Sequence, residues 1–274
     1  MRRFEGRTVL VVGGGAEPGG GTGAAAGNGQ AIAERLAAEG ATVVVSDRDE
    51  ERARTTVDGL EDRRGHVLVA DATDRAASAG LFARAEDVAG PVHAVVLNVG
   101  VTGALPGRTQ TLEEWDLVQE VNVTSHWLVA QAALAPMTAR GGGALVFVTS
   151  IAGLIASGSS LSYEASKASL LAVSRHFGTR YAERGIRANA LALGVIDSGM
   201  VRRAYGDDPD LERARDLMQP LGRQGLPHEA AAAAAFLASD DASFVTGQLL
   251  VVDGGRLADG RYDARYARAA RARA

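Results

Sequence analysis

Seven short runs of β-branched and aliphatic residues alternate with longer segments of helical period, and this rhythm constrains the fold more than any other feature of the chain. The runs at 8–12, 42–46, 67–69, 94–97, 144–149, 187–193 and 249–252 are mostly apolar on both faces, as strands covered on both sides are. Helical patterns fill the intervals at 30–39, 49–60, 74–88, 112–137, 161–183 and 229–238. Strict alternation means an α/β fold with a parallel sheet, and right-handed crossovers lead to a doubly wound arrangement of about seven strands. With 274 residues, 46% of them hydrophobic, and no internal repeat or linker, one domain over residues 1–255 is expected.

Charge and composition remove several classes of function. A net charge of −4 and a pI near 5.8 give no field that would draw in a phosphate backbone, so no nucleic-acid partner is expected. The absence of cysteine excludes disulfides, thiolate metal sites and cysteine nucleophiles together. His66, His93, His126, His176 and His228 are scattered without metal-ligand spacing, and no metal is expected. The apolar run at 9–12 is too short for a secretory leader and stops at glycines, and no stretch approaches the roughly 20 apolar residues that cross a bilayer. A cytoplasmic location without a membrane partner follows as an expectation.

Between the first strand and the first helix, residues 13–29 include nine glycines. A glycine-rich turn feeding a helix N-terminus is where a dinucleotide pyrophosphate is held, because exposed amides and the helix dipole favour an anion and missing side chains let it approach. This makes the expected sheet Rossmann-type. Two threadings fit. Either Gly13 makes the turn and the following residues bulge outward, or residues 13–21 are an insertion and residues 22–29 form the whole loop. Both put Gly27, Asn28 and Gly29 at the helix start, with Asn28 able to cap it. The second strand ends at Asp47, eighteen residues after Gly29. A carboxylate there accepts from both ribose hydroxyls and repels a 2′-phosphate, favouring NAD over NADP, although the neighbouring Arg48 would suit the phosphate.

Tyr163 and Lys167 are four residues apart in a helical segment and share one face. A free phenol has a pKa of about 10, and a nearby ammonium lowers it into the range of a general acid or base. Thirteen residues earlier, Ser150 ends the fifth apolar run at the carboxyl edge of the sheet, where ligands bind in such folds. Asn98 and Gly100 end the fourth run.

In this order the pieces resemble the short-chain dehydrogenase/reductases, from Gly6 to Gly255. The resemblance implies that Ser150 polarises a substrate carbonyl, that Tyr163 is the acid/base, and that Lys167 binds the nicotinamide ribose and lowers the tyrosine pKa. It also implies that Asn122, in Val121-Asn122-Val123-Thr124, holds a water of the proton relay. Asp71, followed by Ala72, matches the position beside the adenine. Asn98 and Gly100 match the Asn-Ala-Gly motif. Residues 189–198 match the segment that grips the nicotinamide carboxamide through the Val195 backbone and the Ser198 hydroxyl. The Pro220-Leu221-Gly222-Arg223 and Thr246-Gly247-Gln248 stretches, and the one ending Val252-Asp253-Gly254-Gly255, match as well.

The implied activity is reversible hydride transfer between NAD(H) and a secondary alcohol or ketone, in a homotetramer. An NADP-dependent ketoreductase, a non-catalytic dinucleotide sensor and cofactor-free halide chemistry are the rival readings. Val12, Val99 and Leu193 replace the usual threonine, alanine and proline, and the long glycine loop is the largest departure. The segment 200–219, with Arg202, Arg203 and Tyr205, should fold over a substrate, and the two arginines either receive an acidic group or are solvated. Val101, Ile151, Leu154 and Ile155 suggest an apolar wall. The Arg-rich tail 256–274, with Arg261, Arg265 and Arg268 at helical spacing beside Tyr262 and Tyr266, either meets an acidic surface or is a frayed terminus.

Overall fold

The computed structural model describes residues 2–17, 26–61, 64–103, 109–157, 160–205 and 208–259, with backbone alone at 203–205. Strands β1 (Thr8–Val12), β2 (Thr42–Asp47), β3 (Gly65–Val69), β4 (Val92–Leu97), β5 (Gly143–Ser150), β6 (Ile186–Leu193) and β7 (Leu249–Val252) form one sheet. Their order is β3-β2-β1-β4-β5-β6-β7, every pair parallel. The order reverses direction between β1 and β4, which opens a crevice at the carboxyl ends of these two strands.

Each apolar strand feeds two cores at once, because successive side chains leave opposite faces. From β1, Val9 and Val11 pack with Ile32 and Leu36 of α1 (Asn28–Ala38) and with the alanines of α9 (Pro227–Ala238). Leu10 and Val12 pack on the other side with Leu81 and Phe82 of α3 (Arg75–Ala89), Val129 and Leu134 of α5 (Ser125–Ala139), and Leu170 and Phe177 of α6 (Leu161–Arg180). Full burial of one Val or Leu side chain contributes roughly 1.5–3 kcal/mol, so the two layers hold the sheet rigid beneath its loops. The remaining helices are α2 (Glu50–Asp58), α4 (Leu112–Gln119), α7 (Gly199–Tyr205) and α8 (Pro209–Asp216).

The helical segment expected at 112–137 is not continuous. It divides into α4 and α5 around a π-turn, Glu120–Thr124, centred on Asn122. π-turns concentrate at functional sites because the extra residue rotates a side chain out of the regular ladder. The expected helix at 161–183 ends at Arg180, followed by a 3₁₀ turn closed by Gly185 with φ +75°. Segment 200–219 contains the two short helices α7 and α8. No helix among the described residues is long and apolar enough to cross a membrane. Arg261, Arg265, Arg268, Tyr262 and Tyr266 lie outside the described residues, as do residues 18–25 of the glycine loop.

Candidate active site

A cavity of about 350 Å³ opens above β1, β2, β4, β5 and β6. Gly13, Gly27, Asn28, Gly29, Asp47, Asp71, Ala72, Asn98, Gly100, Ser150, Tyr163, Lys167 and Ser198 all line it. Residues expected from separate motifs thus share one space.

At the end beside β1 and β2, Gly13 makes the turn, as the first threading has it. Most of the segment that would bulge outward, residues 18–25, lies outside the described residues. Gly13 leaves β1 with φ +78°, and its amide and that of Gly14 donate to the Ser46 carbonyl at 2.8 and 3.1 Å. The chain then follows β2 and α2: Thr56 Oγ1 donates to the Gly14 carbonyl at 2.9 Å, and the Ala16 amide donates to the Arg52 carbonyl at 2.9 Å. Helix α1 packs directly on the turn, since a Cβ on Gly29 would lie 2.0 Å from the Gly13 carbonyl oxygen. Gly13, Gly27 and Gly29 therefore form one cradle, with residues 17–26 interposed. Gly27, not Asn28, is the N-cap, and no side chain caps this helix. Asn28 is its first residue, and its Oδ1 is buried without a hydrogen-bond partner among the described residues. A side-chain-free helix start with an orphaned buried amide beside it fits a bound dinucleotide.

Asp47 and Asp71 line the cavity at the carboxyl ends of β2 and β3. Asp47 accepts from the Gly15 amide at 3.1 Å and the Asp49 amide at 3.2 Å. Asp71 accepts from the Thr73 amide and hydroxyl, both at 2.8 Å, which hold its carboxyl below the usual range.

The opposite end of the cavity is built on β5, α6 and the π-turn. Ser150 accepts from the Ala152 amide at 3.1 Å as it caps the 3₁₀ turn Ile151–Gly153, which leaves its hydroxyl proton to donate into the cavity. Lys167 is buried, donates to the Val148 carbonyl at 3.1 Å, and stands 5.7 Å from the centroid of the Tyr163 ring. Burial pushes its pKa from 10.5 down to about 8. Thr149 Oγ1 donates to the Lys167 carbonyl at 2.7 Å and pins α6 to β5.

Asn122 is fully buried and lies behind the cavity wall. Its Nδ2 donates to the Val101 carbonyl and Ser166 Oγ, both at 2.9 Å, and its Oδ1 accepts from the Val101 amide at 2.8 Å. Oδ1 and Lys167 Nζ flank Gly100, where a Cβ would lie 3.5 and 3.4 Å from them. Glycine keeps that space open.

Other expectations land elsewhere. Val195 does not line the cavity and its carbonyl accepts from the Gly225 amide at 2.9 Å; Ile196 faces the cavity instead. Ile151, Leu154 and Ile155 are not in the wall, whereas Val101, Leu117, Val121, Met200 and Val201 are. Arg202 is paired with Asp197 at 2.6 Å, so it already has a carboxylate.

Two residues were missed. Ser166, to which the sequence pattern gave no role, donates to the Tyr163 carbonyl at 2.8 Å while accepting from Asn122, so it ties the π-turn to α6. His126 is fully buried with Nε2 3.1 Å from the Val99 carbonyl, and burial and the nearby Lys167 charge push its pKa down to about 3. Its place one turn after Asn122 was the available signal.

A parallel sheet with a crevice at its switch point, a glycine cradle and a buried lysine beneath a tyrosine define a dinucleotide-dependent oxidoreductase. Comparison with known proteins agrees. A family model described as enoyl-(acyl carrier protein) reductase matches residues 23–256. The chain is 40% identical over 238 residues to the cis-4-hydroxycyclohexanecarboxylate dehydrogenase of Sinomonas cyclohexanicum, covering 85% of this chain and 94% of that one. It is 36% identical to 3beta-hydroxysteroid dehydrogenase 1 of Eggerthella lenta, covering 92% and 94%. A gluconate 5-dehydrogenase of Burkholderia cenocepacia, solved in complex with NADP and tartrate, superposes with a TM-score of 0.83 at 30% identity, covering 94% of this chain and 98% of that one. The chain belongs to the short-chain dehydrogenase/reductase family, enzymes that act on alcohol and carbonyl groups with a nicotinamide dinucleotide.

Proposed function

We propose that the protein interconverts a secondary alcohol and a ketone with NAD(H), using Tyr163 as acid/base. One observation carries this reading: the Lys167 ammonium is buried directly behind the Tyr163 ring in a cavity that also receives Ser150. A cation in a desolvated place stabilises a phenolate far more than it would in water. With its pyrophosphate held at Gly13, Gly27 and Gly29, a bound dinucleotide would supply the hydride acceptor or donor. Ser150 donates its hydroxyl proton to the substrate oxygen, and Tyr163 gives or takes the proton of that oxygen. Lys167 holds the ribose and the phenolate. Beyond it, the open space at Gly100 leads to Asn122 Oδ1, whose second lone pair remains for a relay water.

Asp47 supports NAD over NADP, since its carboxylate suits two ribose hydroxyls and repels a phosphate. An apolar wall of Val101, Leu117, Val121 and Met200 suits a hydrocarbon-rich substrate. Exposed Trp127 on α5, Leu161 on α6 and Leu249 and Val251 on edge strand β7 offer apolar surface for a homotetramer, for which light scattering is the check. The activity is tested with Tyr163→Phe. NADH binding, followed by fluorescence, should persist while turnover of a cyclic secondary alcohol falls roughly 10²–10⁴-fold. Turnover near that of the wild type would remove Tyr163 from the role.

A further inference from the structure

The insertion that splits the glycine cradle brings a charged residue of its own to the end of the cavity beside β1 and β2. Glu17 follows Ala16 and lies against the helix start, where a Cβ on Gly27 would meet Glu17 Cγ at 3.0 Å and Oε1 at 3.5 Å. Its carboxylate is 3.7 Å from an Arg52 guanidinium nitrogen, and both side chains are partly buried. Arg52 Nε also donates to the Ala16 carbonyl at 2.6 Å. Arg52 in turn borders Asp47. A Cβ on Gly15 would lie 2.6 Å from Asp47 Oδ2 and 2.9 Å from Arg52 Cβ, and Gly15, Glu17, Asp47 and Arg52 all line the cavity.

This arrangement bears on which dinucleotide fits. Beside the carboxylate at the ribose position the cavity is lined by the guanidiniums of Arg48 and Arg52, the group best shaped to take a phosphate in two parallel hydrogen bonds. Here Arg52 Nε is taken by the Ala16 carbonyl, and an Nη nitrogen of Arg52 is ion-paired with Glu17 across 3.7 Å. Glu17 cancels its charge and adds a second negative group, and Coulomb repulsion between carboxylate and phosphate is strong where water is partly excluded. We propose that Glu17 is a determinant of cofactor choice: it withholds Arg52, though not Arg48, from a 2′-phosphate and thereby shifts the preference toward NAD. The proposal rests on the reading of the enzyme as NAD-dependent.

Titration calorimetry with NADH and with NADPH tests it on the whole chain, in the wild type, Glu17→Gln and Glu17→Gln/Arg52→Gln. The wild type should bind NADH more tightly. Glu17→Gln should narrow the NADPH-to-NADH ratio of Kd values at least tenfold, and adding Arg52→Gln should restore it. An unchanged ratio in Glu17→Gln overturns the role of Glu17 and leaves the NAD reading standing. A narrowed ratio that survives loss of Arg52 overturns the part assigned to the guanidinium. A wild type that binds NADPH more tightly removes the NAD reading itself, and the proposal with it.

Discussion

The two ends of the cavity are built in different ways. The end at β5 and α6 is a mesh of side-chain hydrogen bonds: Lys167 on Val148, Thr149 on Lys167, Asn122 on Val101 and Ser166, and Ser166 on Tyr163. The end at β1 and β2 is mostly backbone, held by amides of Gly13, Gly14, Gly15 and Ala16 on Ser46, Asp47 and Arg52. Chemistry that places a proton needs fixed side chains at fixed spacing, and tolerates no insertion. Holding an anion needs amides and the absence of Cβ atoms, so a loop can lengthen between Ala16 and Gly27 and still close its cradle.

The first way to break this contrast is at the mesh. Ser150→Ala removes a donor to the reacting oxygen, and steady-state turnover should fall roughly 10²–10³-fold with little change in NADH affinity. At the cradle, Gly29→Ala forces a methyl group onto the Gly13 carbonyl. That crowding should cost about 1–3 kcal/mol, seen as weaker NADH binding in titration or a lower melting temperature. Ser166→Ala breaks the link from Asn122 to the Tyr163 carbonyl, a loss of about 1 kcal/mol. It should lower kcat about fivefold while leaving the Kd for NADH near its wild-type value, and an effect on binding alone would contradict the link.

The smallest effect at neutral pH comes from His126. Its folded pKa is held below the ordinary value of 6.5, at about 3, so the unfolded chain takes up the proton first. Stability is intact above 6.5 and is lost as pH falls from there toward 3. Urea melts of His126→Phe should show a shallower decline across that window. Lys167 has the same sign at the other end. With a folded pKa of about 8 against 10.5, the cost of burying the ammonium, about 3 kcal/mol, is relieved as pH rises between those values.

Legibility from sequence follows the same division. All seven strands were legible because short apolar, β-branched or aliphatic runs alternate with helical segments, and Ser150, Tyr163 and Lys167 stood out because their spacing is fixed by one strand end and one helical turn. The break at Asn122 was not legible: residues 112–137 keep a helical pattern across it, and the π-turn comes from tertiary bonds to Val101 and Ser166. The capping role was misassigned to Asn28 because propensity favours asparagine at an N-cap, whereas here the helix starts one residue earlier against Gly13. Glu17 was invisible in a loop read for its glycines, since its meaning depends on Arg52, thirty-five residues away in the chain.

The account stands on a phenol tuned by a buried ammonium. Its most direct test is the pH profile of kcat/KM for oxidation of a secondary alcohol, compared between the wild type and Lys167→Met. The wild type should show a controlling group well below the free phenol value of about 10, and the variant should move that group upward by a unit or more as its residual activity falls. A controlling pKa that stays in place when the lysine is gone would contradict it.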